Sequence, residues 1–303
     1  MAARITGLAA LLLLVAAPLV ANALGAVLAS RPRPGVASAV PPWNWRASCS
    51  SALLYTLAFN VTFFIQELFL VVPKALTPGL RPVLYHNNHD WGGDHPLAEL
   101  FQGTGALAIL VSAAVCLLLR RATTRRPTTT LFLIWMTYQG AVQALLQVVA
   151  AVLDARSDVG RAFAFIGLGD GLQTTAAVLA VVAIVAVALT VTRAVLAMVD
   201  DPGALATAGP RARVVLRLAT VPALVAILPI IAFRVPRELP EVVGPPVIVT
   251  LVGIAWVQAW SWPAARVTPL GGASGLQVAG PAVAVMLTLL FFQVVLRPGV
   301  PFF

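Results

Sequence analysis

Eight apolar runs, each about as long as a helix needs to cross a bilayer, divide this chain from one end to the other. The hydrocarbon core of a membrane is about 30 Å thick, which takes roughly 20 helical residues. Because backbone polar groups in hydrocarbon must bond to one another, helices are the expected solution. The sequence therefore predicts an all-α, polytopic transmembrane helix bundle of about eight helices, with seven to nine allowed, near 5–29, 51–73, 100–119, 131–153, 162–192, 214–233, 246–265 and 279–296.

Composition and charge agree with this class. Hydrophobic residues make up 60% of the chain and charged residues 10%, a balance that a soluble domain of this length cannot bury in one core. The net charge of +9 would suggest nucleic-acid binding, but the arginines lie singly or in short clusters between apolar runs, as topology signals do. We expect the lipid bilayer, and other membrane subunits as a further class, to be the partners, with no nucleic acid.

The chain has room for one membrane domain and one long loop. Prolines and glycines mark the ends of the apolar runs, and no soluble domain fits between them. We expect a single multi-pass membrane domain over 1–303, with an extramembrane His/Asp-rich segment at 74–99, called the histidine loop below. The first run begins like a signal peptide, with Arg4 before an apolar core, but it stays apolar to Ala29, so we interpret it as a retained helix.

Arginine counts in the short loops predict the orientation. The densest cluster, Arg120–Arg126, places the connection between the third and fourth helices in the cytoplasm. Alternation then places the histidine loop, 154–161 and 234–245 outside, together with both chain termini. A bacterial plasma (inner) membrane is the expected location.

All three histidines of the chain lie within ten residues of the histidine loop, with two of the eleven acids beside them: His86, His89, His95, Asp90 and Asp94. Imidazole and carboxylate donors suit transition metals, and the glycine pair at 92–93 lets the backbone fold around one point. A divalent transition metal is therefore one interpretation, with zinc favoured over iron or copper. A solvated or pH-sensing loop is the other, because the spacing matches no strong metal motif.

Two acids lie inside the predicted spans, Glu67 in the second and Asp170 in the fifth. An ionisable group in hydrocarbon costs roughly 3 kcal/mol unless it faces protein or water, so both are functional candidates. Polar residues also recur at helical spacing in the second and fourth spans, which indicates faces that contact protein: Thr56, Asn60 and Glu67 in the second, and Gln139, Gln143 and Gln147 in the fourth.

The helical rise predicts the depth of these groups. Glu67 lies about 9 Å, and Asp170 about 12 Å, from the membrane edge that bears the histidine loop. Gln147 lies near the same edge, because the fourth helix ends there. We therefore expect each carboxylate to reach a polar group on another helix or water, either within a site beneath the histidine loop or as interhelical hydrogen-bond partners.

The fifth run opens with the glycine-rich segment 167–171, in which Asp170 lies between two glycines. Three glycines in five positions weaken a helix. The segment predicts either a discontinuous helix with an acid at its break, a device that presents ligands in membrane proteins, or a close packing face with Asp170 paired to another helix.

Two short segments resemble site-2-type intramembrane zinc proteases. The stretch Phe64–Leu70, on a predicted membrane helix, is similar to the helix that carries H-E-x-x-H in that family, and Gly169–Gly171 is distantly similar to its L-D-G motif. The resemblance implies that Glu67 is a general base and that Asp170 is an aspartate ligand of zinc.

The chain departs from that family at both histidine positions of the motif, which Gln66 and Leu70 occupy. The zinc ligands of that helix are therefore absent. If the relationship holds, His86 and His89 would have to supply the imidazoles from the histidine loop.

Two classes of function follow from these patterns. The first is a metal-dependent membrane hydrolase, or a degenerate relative, with a metal held by the histidine loop at the outer-leaflet boundary and Glu67 as general base for a metal-bound water. The alternative is non-enzymatic: a structural subunit of a membrane complex, or an ion or small-molecule transporter that uses the buried acids and the glutamines. The sequence leaves the two classes open.

Overall fold

The computed structural model describes residues 2–30, 42–236 and 239–303, and most of them are helical. The helices are α1 (Ala2–Ala29), α2 (Trp45–Ala75), α3 (Leu97–Leu100), α4 (Thr104–Leu119), α5 (Pro127–Leu153), α6 (Asp158–Phe165), α7 (Asp170–Ala197), α8 (Ala208–Val215), α9 (Val221–Arg234), α10 (Leu239–Trp260) and α11 (Ala279–Leu290). The strands are β1 (Arg81–Leu84), β2 (His89–Gly92) and β3 (Val300–Pro301).

Eight described segments are long and apolar enough to cross a bilayer, which confirms the predicted multi-pass bundle. They are Leu12–Ala29, Trp45–Ala75, Leu97–Ala122, Pro127–Leu153, Asp170–Ala197, Ala208–Arg234, Val242–Trp260 and Ala279–Leu296. The largest difference from the predicted ranges is in the fifth span, which begins at Asp170 rather than at residue 162. The protein is thus an integral membrane protein of the all-α class.

The two ends of the bundle carry the loops that the arginine pattern grouped together. Arg161 of α6 lies 3.7 Å from Glu99 of α3, so the 154–161 segment and the histidine loop share one end. Strand β3 pairs with β1, which places the C-terminal residues there too. The Arg120–Arg126 turn joins the end of α4 to the start of α5, at the other end of the bundle. We call the two ends the histidine face and the arginine face.

The first helix packs against α10 and runs in the same direction. The Trp256 indole donates to the Leu14 carbonyl at 2.9 Å, and the Trp262 indole donates to Asn22 Oδ1 at 3.0 Å. Since α10 enters from the histidine face, α1 does as well. The relative placement of both termini is therefore as the sequence predicted.

Part of the histidine loop is a regular β-hairpin. Strands β1 and β2 pair antiparallel from Arg81 opposite Gly92 to Leu84 opposite His89, and β3 lies on the other side of β1. The Leu84 side chain is buried in one apolar cluster with Val71 of α2 and Phe292 of the last span. This packing fixes the hairpin against the end of the bundle, and the interpretation of a solvated loop is wrong for its buried histidines.

The glycine-rich start of the fifth run interrupts the helix, as one of the two interpretations predicted. Helix α6 ends at Phe165, the chain turns through Gly167 at φ +65°, and α7 starts at Asp170. Asp170 is exposed at the first residue of α7. The predicted depth of Asp170 is therefore wrong, because residues 158–169 form a separate short helix and turn before the span begins.

A π-helical turn, Leu216–Thr220, joins α8 to α9. Pro222 follows it and cannot donate a backbone hydrogen bond to the preceding turn. Two carbonyls of the π turn accept from α2 instead, since Ser48 Oγ donates to the Arg217 carbonyl at 2.7 Å and Ser51 Oγ donates to the Leu218 carbonyl at 2.6 Å. These side-chain hydrogen bonds satisfy backbone carbonyls that the helix itself leaves without a donor at Pro222.

Aromatic residues hold the centre of the bundle together. Tyr55 of α2 packs against Trp135 and Tyr138 of α5, with ring centroids 5.0 and 5.7 Å apart. Tyr55 and Thr250 of α10 share a hydrogen bond of 2.9 Å, and Tyr138 donates to the Val249 carbonyl at 2.8 Å. These contacts therefore fix helices α2, α5 and α10 relative to one another.

Candidate functional site

Glu67 and His89 form a buried pair near the histidine face. Glu67 Oε2 lies 2.8 Å from His89 Nδ1, and the two side chains are only 7% and 6% exposed. Helix α2 supplies the carboxylate, and β2 supplies the imidazole, whose position is set by the pairing of His89 with Leu84. The prediction that Glu67 reaches a polar group on another element is confirmed.

Glutamine side chains extend this pair into the bundle. Gln66 Nε2 lies 3.4 Å from Glu67 Oε1, and Gln147 Nε2 donates to Gln66 Oε1 at 2.8 Å. Both amides donate in the direction of the carboxylate, so the three side chains form one hydrogen-bonded chain. The polar rows of the second and fourth spans meet here, as their depth predicted.

The second ring nitrogen of His89 faces Gln102. The two Nε2 atoms are 3.3 Å apart, and the Gln102 Oε1 atom has no hydrogen-bond partner among the described residues. With the amide as placed, Gln102 donates to a neutral imidazole; turned by half a rotation, its Oε1 accepts from a protonated one. The position can therefore hydrogen-bond to either protonation state of His89.

Lys74 and Trp91 cover the pair from the histidine face. The Trp91 ring stacks on His89 with centroids 5.8 Å apart, and Lys74 Nζ lies 4.3 Å from the Trp91 centroid. Lys74 is the only lysine of the chain and is fully buried, with Nζ donating to the Leu70 carbonyl at 3.0 Å. Its charge offsets the nearby carboxylates of Glu67 and Asp158.

Asp158, the first residue of α6, is the second carboxylate of this region. Burial raises the pKa of Asp158, and the negative charge of Glu67 raises it further, while His89, Lys74 and Arg161 act in the opposite direction. The charge state of Asp158 is thus set by burial together with the charged groups around the Glu67–His89 pair.

A cavity of about 620 Å³ lies beside the pair, between α2, α5 and α10. We call it the glutamine cavity. Its walls are mostly apolar and include Phe59, Phe63, Leu146 and Ile248; its polar lining consists of Gln66, Gln143, Gln147, Ser157 and Asp158. Gln66 belongs both to the cavity wall and to the hydrogen-bonded chain that ends at Glu67.

The glutamine row continues towards the centre of the bundle. Gln143 Nε2 donates to Gln139 Oε1 at 3.0 Å, and Gln139 Nε2 is buried without a hydrogen-bond partner among the described residues. A buried amide donor of this kind is normally satisfied by water or a ligand. The row therefore gives the cavity a polar side that reaches well below the membrane surface.

The other predicted ligand residues point to different partners. His86 Nε2 lies 3.1 Å from the Val235 carbonyl, and His95 Nδ1 accepts from the backbone of Leu97 at 3.3 Å. Asp90 accepts from the neighbouring Trp91 N–H at 2.8 Å. The remaining acids, Asp94 and Asp170, are exposed. Of the predicted set, only Glu67 and His89 are brought together by a hydrogen bond.

Within residues 2–30, 42–236 and 239–303, no three His, Cys, Asp or Glu side chains are grouped so that they could hold a metal ion. The donors of the histidine loop do not converge in this arrangement. Metal binding by the loop stays a prediction.

If the loop holds a metal, purified protein should retain about one equivalent of a transition metal, and His86→Ala should lose it, because each ligand supplies a large part of the affinity. Elemental analysis checks this. The metal content of His95→Ala shows whether a more exposed histidine of the same loop also contributes to binding. Equal metal content in all three proteins, or none in the unaltered protein, would contradict metal binding by the loop.

Comparison with known proteins assigns no family to the chain, so a proposal about its function has to rest on the geometry of the site. The chain matches no family model, no curated protein and no solved structure. The resemblance to site-2-type proteases stays a prediction that rests on two segments; Glu67 does lie against an imidazole, whereas Asp170 is exposed at the start of α7.

Four residues of this region were missed by the sequence reasoning: Lys74, Trp91, Gln102 and Asp158. A lone lysine at the end of a span is typical of an interfacial anchor, so nothing in the sequence indicated that Lys74 is buried. Gln102 and Asp158 lie at predicted span edges, where polar residues are common. The one usable sign was the scarcity of acids, since the chain has only eleven of them and Asp158 is one.

Replacing Asp158 with Asn should flatten the pH dependence of stability. An acid whose pKa is raised by folding stabilises the protein below its unfolded pKa of about 3.9, and this contribution is lost as pH rises through the folded pKa. The thermal unfolding midpoints of both proteins, measured from about pH 4 to about pH 8, show the change, because this range roughly covers the interval between the unfolded and folded pKa of Asp158.

Asp154→Asn is the matched control, because its effect on stability has the opposite sign and lies below the measured pH range, so it should leave the slope unchanged. The backbone N–H of Arg156 is the main cause that lowers the pKa of Asp154, so this residue contributes stability above its unfolded pKa that is lost as pH falls through the folded one. The same pH slope in both variants would contradict the assigned environment of Asp158.

Proposed function

We propose that the protein takes an amphipathic small molecule from the membrane into the glutamine cavity and couples its binding to proton exchange at the Glu67–His89 pair. This assigns it to the class of proton-coupled membrane binding or transport proteins. The observation that carries the proposal is the double role of Gln66, which lines the cavity and hydrogen-bonds to Glu67.

The shape and lining of the cavity support an amphipathic ligand. Ligand sites commonly enclose about 300–1,000 Å³ and combine apolar walls with a few polar groups, and this cavity has about 620 Å³. The polar lining consists of the amides of Gln66, Gln143 and Gln147 together with Ser157 and the carboxyl group of Asp158, and no described lining residue is Lys or Arg. The lining favours a ligand with an apolar body and one head that carries no negative charge and accepts or donates hydrogen bonds.

The arrangement of His89 supports the proton exchange. Its Nδ1 bonds to a carboxylate and its Nε2 to an amide that can donate or accept. Imidazole is the side chain whose ordinary pKa lies nearest neutral pH. A ligand that changes the bonding of Gln66 alters the environment of Glu67, and hence the protons that the pair binds.

A membrane hydrolase is the second candidate, and the Glu67–His89 contact is the observation that favours it. A carboxylate held by an imidazole can act as a general base towards water. In this reading Glu67 keeps the role that the family resemblance implied, and the glutamine cavity binds a lipid-phase substrate. Turnover that requires Glu67 separates this candidate from proton-coupled binding, in which the ligand is recovered unchanged.

Photolabelling tests the proposed ligand class. The full chain in nanodiscs is exposed to hexadecanol carrying a diazirine group, and labelled residues are located by mass spectrometry. We expect labels on the cavity-lining parts of α5 and α10. Ala150→Phe places a ring in the cavity, and labelling there should fall at least about tenfold, equivalent to about 1.4 kcal/mol of binding.

Ala114→Phe is the matched control, because Ala114 is exposed on the outer side of α4 and adds the same ring away from the cavity. Its labelling pattern should equal that of the unaltered protein. Labels spread evenly over lipid-facing helices, or unaffected by Ala150→Phe, would refute the proposed binding site.

A further inference from the structure

A second pocket lies at the arginine face, far along the bundle from the glutamine cavity. It has a volume of about 290 Å³ and is bounded by the start of α2, the loop after α7, and α8 with its π turn. We call it the headgroup pocket. Among the described residues its charged lining consists of Arg213, Arg217, Asp200 and Asp201, and its apolar lining includes Ala47 and Leu218.

The two arginines lie on one side of the pocket. Arg213 and Arg217 are four residues apart on a continuous helix, a spacing that places side chains on the same face. Arg213 is half-buried and has no hydrogen bond or ion pair with any other described residue. The Arg217 guanidinium carbon lies 5.1 Å from the centroid of the Trp43 ring, which stacks on Trp45.

The two carboxylates are held in place by backbone N–H groups. Asp200 accepts from Gly272 at 2.6 Å and from Ser274 at 2.8 Å, and Asp201 accepts from Gly203 at 2.9 Å. Each carboxylate has about four lone-pair positions, so both can accept further hydrogen bonds. The lining of the pocket thus includes two carboxylates held by backbone N–H groups and two guanidinium groups.

The position of the pocket indicates a lipid rather than a soluble molecule. Tryptophans concentrate at the membrane interface, and the Trp43–Trp45 stack lies at the start of the second span. Part of the apolar lining, Ala47 and Leu218, belongs to the first turn of that span and to the π turn. A volume of about 290 Å³ holds a headgroup and leaves acyl chains in the bilayer.

We propose that this pocket binds a zwitterionic phospholipid with a primary ammonium headgroup, such as a phosphoethanolamine lipid. Guanidinium groups bind phosphate oxygens through paired, charge-assisted hydrogen bonds, which assigns the phosphate to Arg213 and Arg217. The ammonium has three N–H donors, which suit Asp200 and Asp201. An anionic lipid would meet both carboxylates without a cation, and a choline lipid has no N–H to donate.

Native mass spectrometry of the full chain, after exchange into nanodiscs of defined composition, tests this inference. Equal amounts of phosphatidylethanolamine, phosphatidylcholine and phosphatidylglycerol are supplied. We expect retention of the ethanolamine lipid at least about tenfold above the other two, a difference of about 1.4 kcal/mol. Equal retention of the three, or preference for phosphatidylglycerol, would overturn the proposal.

Two variants divide the pocket by charge. Arg213→Gln with Arg217→Gln should lose the retained lipid, whereas Asp201→Asn keeps an acceptor for the Gly203 N–H and should lose the preference over phosphatidylglycerol. Arg125→Gln is the control, since Arg125 is exposed on the same face outside the pocket. Retention unchanged by Asp201→Asn would refute the ammonium site even if the double variant does not fold.

Competition with free phosphoethanolamine distinguishes a lipid from a soluble ligand. Because the apolar lining should contribute through the attached glycerol and chains, the soluble headgroup is expected to displace the lipid only at concentrations at least about tenfold higher. Displacement at equal concentration would show that the pocket serves a soluble metabolite and would overturn the lipid assignment.

Discussion

Replacing Glu67 with Gln should abolish proton exchange on ligand binding while the glutamine cavity still holds the photoreactive alcohol. Glutamine keeps the size of the side chain and its hydrogen-bonding oxygen but cannot ionise. Since proton exchange linked to binding requires a group that ionises, the number of protons exchanged per bound alcohol should fall to the background seen without ligand. A pH-indicator dye in weakly buffered solution measures the protons taken up or released when the alcohol is added.

Glu99→Gln is the matched control for this experiment. Glu99 lies on the same face, 3.7 Å from Arg161, outside the Glu67–His89 pair. Its variant should exchange protons as the unaltered protein does. Proton exchange that persists in Glu67→Gln would refute the coupling, whereas loss of labelling in the same variant would show that Glu67 is needed for binding itself.

The eight spans and their relative orientation could be predicted because hydrocarbon imposes length and composition on each helix separately. Depth followed from the same regularity, since a fixed rise per residue places Glu67 and Gln147 at one level. Their connection through Gln66 therefore follows from sequence spacing plus helix geometry. These predictions needed no knowledge of how distant segments pack.

The pairing of Glu67 with His89 could not be derived in this way. It depends on the register of a hairpin with four-residue strands, too short to show a clear alternation, and on how that hairpin packs against α2. The error at Asp170 has a related cause: the sequence showed that glycines weaken the helix, but whether a break lies within a span or before it depends on contacts made by α6.

His89→Ala should destabilise the protein more than any other single change at this site, by about 3–5 kcal/mol, because it leaves the Glu67 carboxylate buried without its partner. SDS-induced unfolding in mixed micelles measures the difference. The double variant Glu67→Gln, His89→Ala has no unpaired charge and should recover much of this loss. That comparison separates the energy of an unpaired charge from the packing lost with the imidazole.

His95→Ala supplies the reference for removing an imidazole that lies in the same loop but bonds only to a backbone N–H. Its effect should stay near 1 kcal/mol, the net value of an ordinary hydrogen bond. Equal losses for His89→Ala and His95→Ala would mean that the Glu67 charge is solvated when its partner is removed. In that event water reaches Glu67 from the histidine face, and the pair can exchange protons with the solution without a ligand in the cavity.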